Sequence, residues 1–204
     1  MEVDLTGSCE QKIYYELMES IKSRIILISK ISSGKFSSGD IRHDTESAYL
    51  HLRKVLELIA FSSLVVNKDL YVKARSDCEY VWRANKLLEY IKAINPNFYP
   101  IPVEVMTAAN NPSLAGIRKF SGDYLAVEDF EELYNLCGDL MHADNPFGKK
   151  KDYNEYFLKI KGWARKIHEL LDMHVVRFVD SDKFRLIEMS PKHGPIKKLM
   201  FVHL

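Results

Sequence analysis

The chain has 204 residues, about one and a half typical domains, so it holds one large core or a core with a small appendage. With 47% hydrophobic, 11% aromatic and 28% charged residues, it is too apolar to be read as a disordered chain. Twenty-nine Lys and Arg against 28 Asp and Glu leave a net charge of +1, which excludes a global basic field directed at nucleic acid or an acidic membrane.

Three cysteines, Cys9, Cys78 and Cys137, lie far apart with no CxxC pair, which excludes a disulfide scaffold and a Cys-rich zinc site and fits a reducing cytosol. Met1-Glu2-Val3-Asp4 is unlike a signal peptide. The longest apolar run, Leu58 to Val66, contains two serines and is too short to span a bilayer. A soluble, cytoplasmic protein is expected.

Apolar residues recur every three or four positions in five segments, the period of a helix. The first covers residues 9 to 32, with Ile13, Leu17, Ile21, Ile25 and Ile28 expected inward. A Ser- and Gly-rich loop follows, and Asp40 or Asp44 can cap the second helix, residues 41 to 67. The C-terminal half of that helix is apolar on all sides, which predicts a central position in a bundle. The third helix, residues 69 to 94, stops at Asn95-Pro96 because the residue before proline disfavours the helical region. Between Pro96 and Val127 the period disappears among Pro100, Pro102, Pro112, Gly116 and Gly122, which predicts a long irregular connection.

The fourth helix, residues 128 to 143, has Phe130, Leu133, Tyr134, Cys137, Leu140 and Met141 as its apolar face. The fifth, residues 152 to 173, follows the basic tether Lys149-Lys150-Lys151 and turns Phe157, Ile160, Ala164, Ile167 and Leu171 inward. After His174 the period changes to two, and runs at 175 to 179, 183 to 189 and 196 to 202 predict a three-stranded antiparallel meander. The expected class is mainly α: a helical bundle over residues 1 to 173, with a small β appendage over 174 to 204, packed on the bundle or swapped between copies. The appendage carries six Lys or Arg against three acids and is the more basic part.

No GxGxxG, GxxxxGK[ST], GxSxG or HExxH signature is present, and no metal or cofactor is expected. His168 and Asp172 are one turn apart, a spacing that two metal ligands or a solvated helix end can use, and no third ligand stands near them in sequence. Asn135, Asp139 and His142 share one helix edge beside the inward Cys137 and Leu140, which puts the histidine where core meets solvent. On the second helix Glu57 lies in an otherwise apolar segment and needs a partner, for which Arg53, one turn away, is the first candidate. The Arg53–Glu57 pair reads either as a structural ion pair or as a polar floor facing His142. Tyr14, Tyr15, Tyr80, Trp82, Tyr90 and Trp163 fall at helical spacing and read as core or interface.

The all-helical order over residues 9 to 173, the core helix from Glu46 to Lys68 and the segment Leu140-Met141-His142-Ala143-Asp144-Asn145-Pro146 resemble the HEPN superfamily. These are prokaryotic helical-bundle proteins common in toxin–antitoxin and antiviral loci. The resemblance implies a five-helix HEPN-like bundle, with His142 at the position of the histidine that moves a proton in metal-independent RNA cleavage. The family's arginine precedes that histidine with four to six residues between them and neutralises the scissile phosphate. Here the corresponding positions are Asn135, Leu136 and Cys137, so an arginine would have to come from the second helix, as Arg53 or Arg42.

The missing arginine favours a non-catalytic protein that acts by binding a protein or RNA partner, as a homodimer or with the product of a neighbouring gene. The alternative is a ribonuclease using His142, Asp139 and Glu57 with Arg53. Lys149, Lys150, Lys151, Lys197 and Lys198 are the candidate RNA contacts. A third reading is a small-molecule sensor that binds under the 96 to 127 connection.

Overall fold

The computed structural model describes residues 9–68, 84–108, 111–177, 184–189 and 196–200. The described residues form five helices: α1 (Cys9–Ser32), α2 (Ile41–Val66), α3 (Ala84–Ile94), α4 (Val127–Met141) and α5 (Tyr153–Leu171). Five strands accompany them: β1 (Ile101–Ala108), β2 (Asn111–Lys119), β3 (Met173–Arg177), β4 (Phe184–Glu188) and β5 (Lys197–Met200). The protein is therefore mostly helical with a small antiparallel sheet. The first part of the third predicted helix, Tyr80, Trp82, Cys78 and the turns between the last three strands lie outside the described residues.

The helix packing follows from the apolar patterning. α2 lies against α1, α3, α4 and α5 and contributes Leu52, Val55, Leu56, Ile59 and Ala60 to the core without exposure. Burying a side chain of this size stabilises the fold by roughly 1.5–3 kcal/mol. Asp40 caps α2 by accepting from the Arg42 backbone N–H at 2.7 Å. Gly34 and Gly39, at φ 71° and 87°, allow the chain to turn between α1 and α2. α3 ends at Asn95-Pro96, where the Asn95 N–H reaches back to the Ile91 carbonyl at 2.8 Å.

Two inward faces differ from the pattern. On α1 the buried residues include Tyr14, Met18, Ile21, Ile28 and Ile31, while Ile13 is 38% exposed. The face is rotated by one residue because Tyr14 is buried whole, its hydroxyl satisfied by His174 Nε2 at 2.8 Å. At the end of α4, Met141 is exposed while Leu140 is buried.

The larger correction concerns residues 96 to 127, expected to be an irregular connection. They contain the hairpin β1–β2, in register from Val103↔Lys119 to Thr107↔Ala115, with an irregularity at Thr107/Ala108. The prolines misled because a strand tolerates proline where no ladder N–H is needed. Pro112 stands on β2, an edge strand. Pro102 stands where β1 meets β3 over only two residue pairs, Ile101↔Val175 and Pro102↔His174.

The C-terminal strands pair consecutively as a meander, but they are part of a five-stranded sheet of order β2-β1-β3-β4-β5 rather than a three-stranded unit. Val176, Ile187 and Met189 enter the same hydrophobic cluster as the helices. Among the described residues no helix is long and apolar enough to cross a membrane.

Candidate functional site

Three helix ends converge on one polar junction, each fixed by local chemistry. The cap at Asp40 sets the first turns of α2, which carry Arg42, His43 and Glu46. Asp44 reaches back to Ser37 Oγ at 2.6 Å and to the Ser38 N–H at 2.7 Å, and these bonds hold its carboxyl below the usual carboxylate range. α4 ends at His142, whose extended backbone (φ −91°, ψ 141°) sends the chain out of the helix. Asp152 then caps α5 by accepting from the N–H groups of Asn154 and Glu155 at 3.0 and 3.1 Å, which starts that helix at Tyr153.

At the junction Arg42 Nε donates to Glu46 Oε1 at 3.0 Å, its Nη2 lies 3.8 Å from Asp144, and its guanidinium sits 5.1 Å from the Tyr153 ring centroid. The Tyr153 hydroxyl donates to Glu46 at 3.2 Å and lies 3.4 Å from both oxygens of Asp144. Lys151 Nζ pairs with Asp144 at 3.2 Å and donates to the His142 carbonyl at 2.6 Å. Two cations thus meet two carboxylates around one phenol. The Glu46 hydrogen bond and then Tyr153 push the Arg42 pKa up, so this guanidinium stays charged. Burial, partly offset by the Arg42 charge, pushes the Tyr153 hydroxyl up and keeps it a hydrogen-bond donor.

Beside this cluster a groove of about 520 Å³ runs between the start of α2 and the end of α4, lined by Arg42, His43, Glu46, Leu50, Met141 and His142 among others. His142 is exposed there, and its imidazole has no hydrogen-bond or ion-pair partner among the described residues. The groove therefore offers two histidine rings, one compensated arginine and the exposed apolar side chains Leu50 and Met141.

The other sequence-predicted site residues lie elsewhere. Arg53 crosses α4: Nη2 donates to the Tyr134 hydroxyl at 2.8 Å, the guanidinium stands 4.2 Å from that ring's centroid, and Nε is 3.3 Å from Glu57. The crossing passes Gly138, where a Cβ would stand 3.5 Å from Arg53 Nη1, an ordinary contact. Glu57 also takes Lys54 at 3.1 Å. Glu57 is thus the carboxylate of an ion pair within its own helix, and it does not line the groove that holds His142. Asp139 is exposed and lies outside that lining too.

Lys149 and Lys150 are exposed, whereas Lys151 is taken up by Asp144. Lys197 and Lys198 pair in register with Glu188 and Ile187, and their side chains lie outside the described residues. His168 and Asp172 stand 3.7 Å apart at the end of α5, and no group of three metal-ligating side chains occurs among the described residues. Sequence reasoning missed His43 and Tyr153. The signal for Tyr153 was its place directly after the Asp152 cap, which turns the first residue of α5 back toward the preceding loop.

Comparison of the chain with protein-family models, curated proteins and solved structures finds no match.

Proposed function

We propose that the chain is a HEPN-like, non-catalytic helical protein that acts by binding in a bacterial defence, toxin–antitoxin or regulatory system. Its contact surface is the groove between α2 and α4, and its partner is a protein, either a second copy or the product of a neighbouring gene, in preference to RNA. One observation carries this reading: Arg42, which shares the groove with His142, is already matched by Glu46 and Asp144. A phosphate entering the groove would have to displace those carboxylates. A protein surface can instead cover Leu50 and Met141 and extend the existing charge pairs.

Light scattering of the purified full chain, alone and with the product of each adjacent gene, tests this. The expected result is a defined complex that Met141→Glu in the groove disrupts. A strict monomer that binds neither those products nor RNA overturns the reading.

A second reading rests on Arg42, His43 and His142 lining one groove. A metal-independent ribonuclease would use His142 to move a proton at the attacking hydroxyl or leaving oxygen, with Arg42 released from Glu46 onto the phosphate. Cleavage of total RNA in the presence of a chelator, lost in His142→Ala, is the expected signature. Equal cleavage by both proteins would mark a contaminant and remove this reading.

A further inference from the structure

A second cleft lies away from the α2–α4 groove, between the C-terminal half of α1, the last turn of α5 and the residue that follows β4. It encloses about 450 Å³, within the size range of small-molecule sites. Lys22, Ile25, Ile26, Ser29 and Lys30 form one stripe of α1, three or four residues apart, and that stripe, continued by Ser33 just past the helix, is one wall. His168, Asp172 and Met189 face it. Met189 is 3% exposed and is fixed there by its N–H, which donates to the Asp172 carbonyl at 2.8 Å. Its flexible thioether and the Ile25 side chain give the cleft an apolar bottom that can adapt to the shape of a guest.

The rim has a definite sign. Lys22, Lys30 and Lys35 stand on it against one carboxylate, Asp172, which is 3.7 Å from His168. Lys30 and Lys35 have no acidic partner among the described residues. The end of α1 does not cancel this charge with free carbonyls: those of Ser29, Lys30 and Ile31 accept from the N–H groups of Ser33, Phe36 and Gly34 at 3.0 to 3.1 Å. An apolar bottom under a rim where Lys30 and Lys35 are unmatched among the described residues suits a guest with the reverse arrangement.

We propose that this cleft binds a small amphiphilic anion, a carboxylate or phosphate head on an aliphatic or aromatic body, with the body against Ile25 and Met189 and the head at Lys30 and Lys35. The site is independent of the α2–α4 groove and of the function proposed for it.

Calorimetric titration of the full chain with decanoate, below its micelle concentration, tests the proposal, with decanol as the uncharged arm and anionic phospholipid vesicles as the membrane arm. Decanoate is expected to bind saturably at one site per chain, and about tenfold more weakly in the Lys30→Glu/Lys35→Glu variant. Both lysines are exposed, so that variant is expected to keep its helical circular dichroism. Ile25→Glu, which puts a charge in the apolar bottom, is expected to abolish binding. Decanol is expected to bind more weakly than decanoate, and the vesicles not to retain the protein. No saturable binding, equal binding of decanoate and decanol, undiminished binding by the double variant, or capture by vesicles in place of decanoate would each overturn the proposal.

Discussion

Two polar networks in this molecule are each built on a tyrosine hydroxyl and obey opposite rules. At one, Tyr14 and His174 meet in the core with no exposure of the imidazole, which bonds the tyrosine through Nε2 and the Leu171 carbonyl through Nδ1, each at 2.8 Å. The carbonyl can only accept, so Nδ1 carries the proton and the Tyr14 hydroxyl donates to Nε2. Both groups are neutral, and burial keeps them so, pushing the tyrosine up and the histidine down to about 4. At the other, around Tyr153, the Arg42 and Glu46 side chains are 44% and 35% exposed, and water shares the work of solvating them. The difference separates stability from function. A dry network holds only one arrangement and is expensive to disturb, whereas a wet one exchanges partners cheaply, which is what a binding groove requires.

The pH dependence of stability is the strongest way to break this contrast. An unfolded chain protonates His174 below about 6.5, but the fold refuses the proton until about 4. Stability is therefore expected to fall as pH drops through that window, by a contribution of order 3 kcal/mol, and then to level off. Urea titrations at stepped pH measure this, and His174→Asn should flatten that part of the curve. A slope unchanged in the variant would remove the dry network from the explanation.

Next in size, Tyr14→Phe leaves a buried nitrogen without its donor and is expected to lower unfolding stability by roughly 1–3 kcal/mol. Gly138→Ala acts in the other direction. Its only neighbour within 4 Å would be Arg53 Nη1 at 3.5 Å, an ordinary contact, so removing a mid-helix glycine is expected to add roughly 0.5–1 kcal/mol. Smallest is Arg42→Ala at the wet network, for which no resolvable change of thermal midpoint is expected while partner binding through the groove weakens. A large loss of stability there would erase the distinction between the networks.

Much of the helical layout was legible because amphipathic period, caps and breakers agree over long segments. α1 spans the residues its pattern predicts, and α2, α4 and α5 fall within two residues of theirs. The hairpin was not legible. Its alternating run Val103-Glu104-Val105 is short, and its prolines carry their usual breaker meaning until the strand order shows Pro112 on an edge. At the candidate site, the pairing of Arg53 with Glu57 was readable from spacing one turn apart on a single helix. That Arg42 and not Arg53 shares a groove with His142 was not, because it depends on where α2 and α4 cross. Local sequence states a residue's phase around its own helix and is silent on its height beside a neighbour. Tyr14 shows the same limit: its partner His174 is 160 residues away, and its burial rotates the face of α1.

The junction at Ile101↔Val175 and Pro102↔His174 has a consequence for how the chain is assembled and divided. Two helices, α4 and α5, separate the hairpin from its neighbour in the sheet, so this seam is a pairing of distant residues, the kind that closes slowly. A fragment cut after residue 173 would leave the inner rim of β1 without its mate and strip Val176, Ile187 and Met189 from the interior, inviting edge-to-edge aggregation rather than a self-standing helical piece.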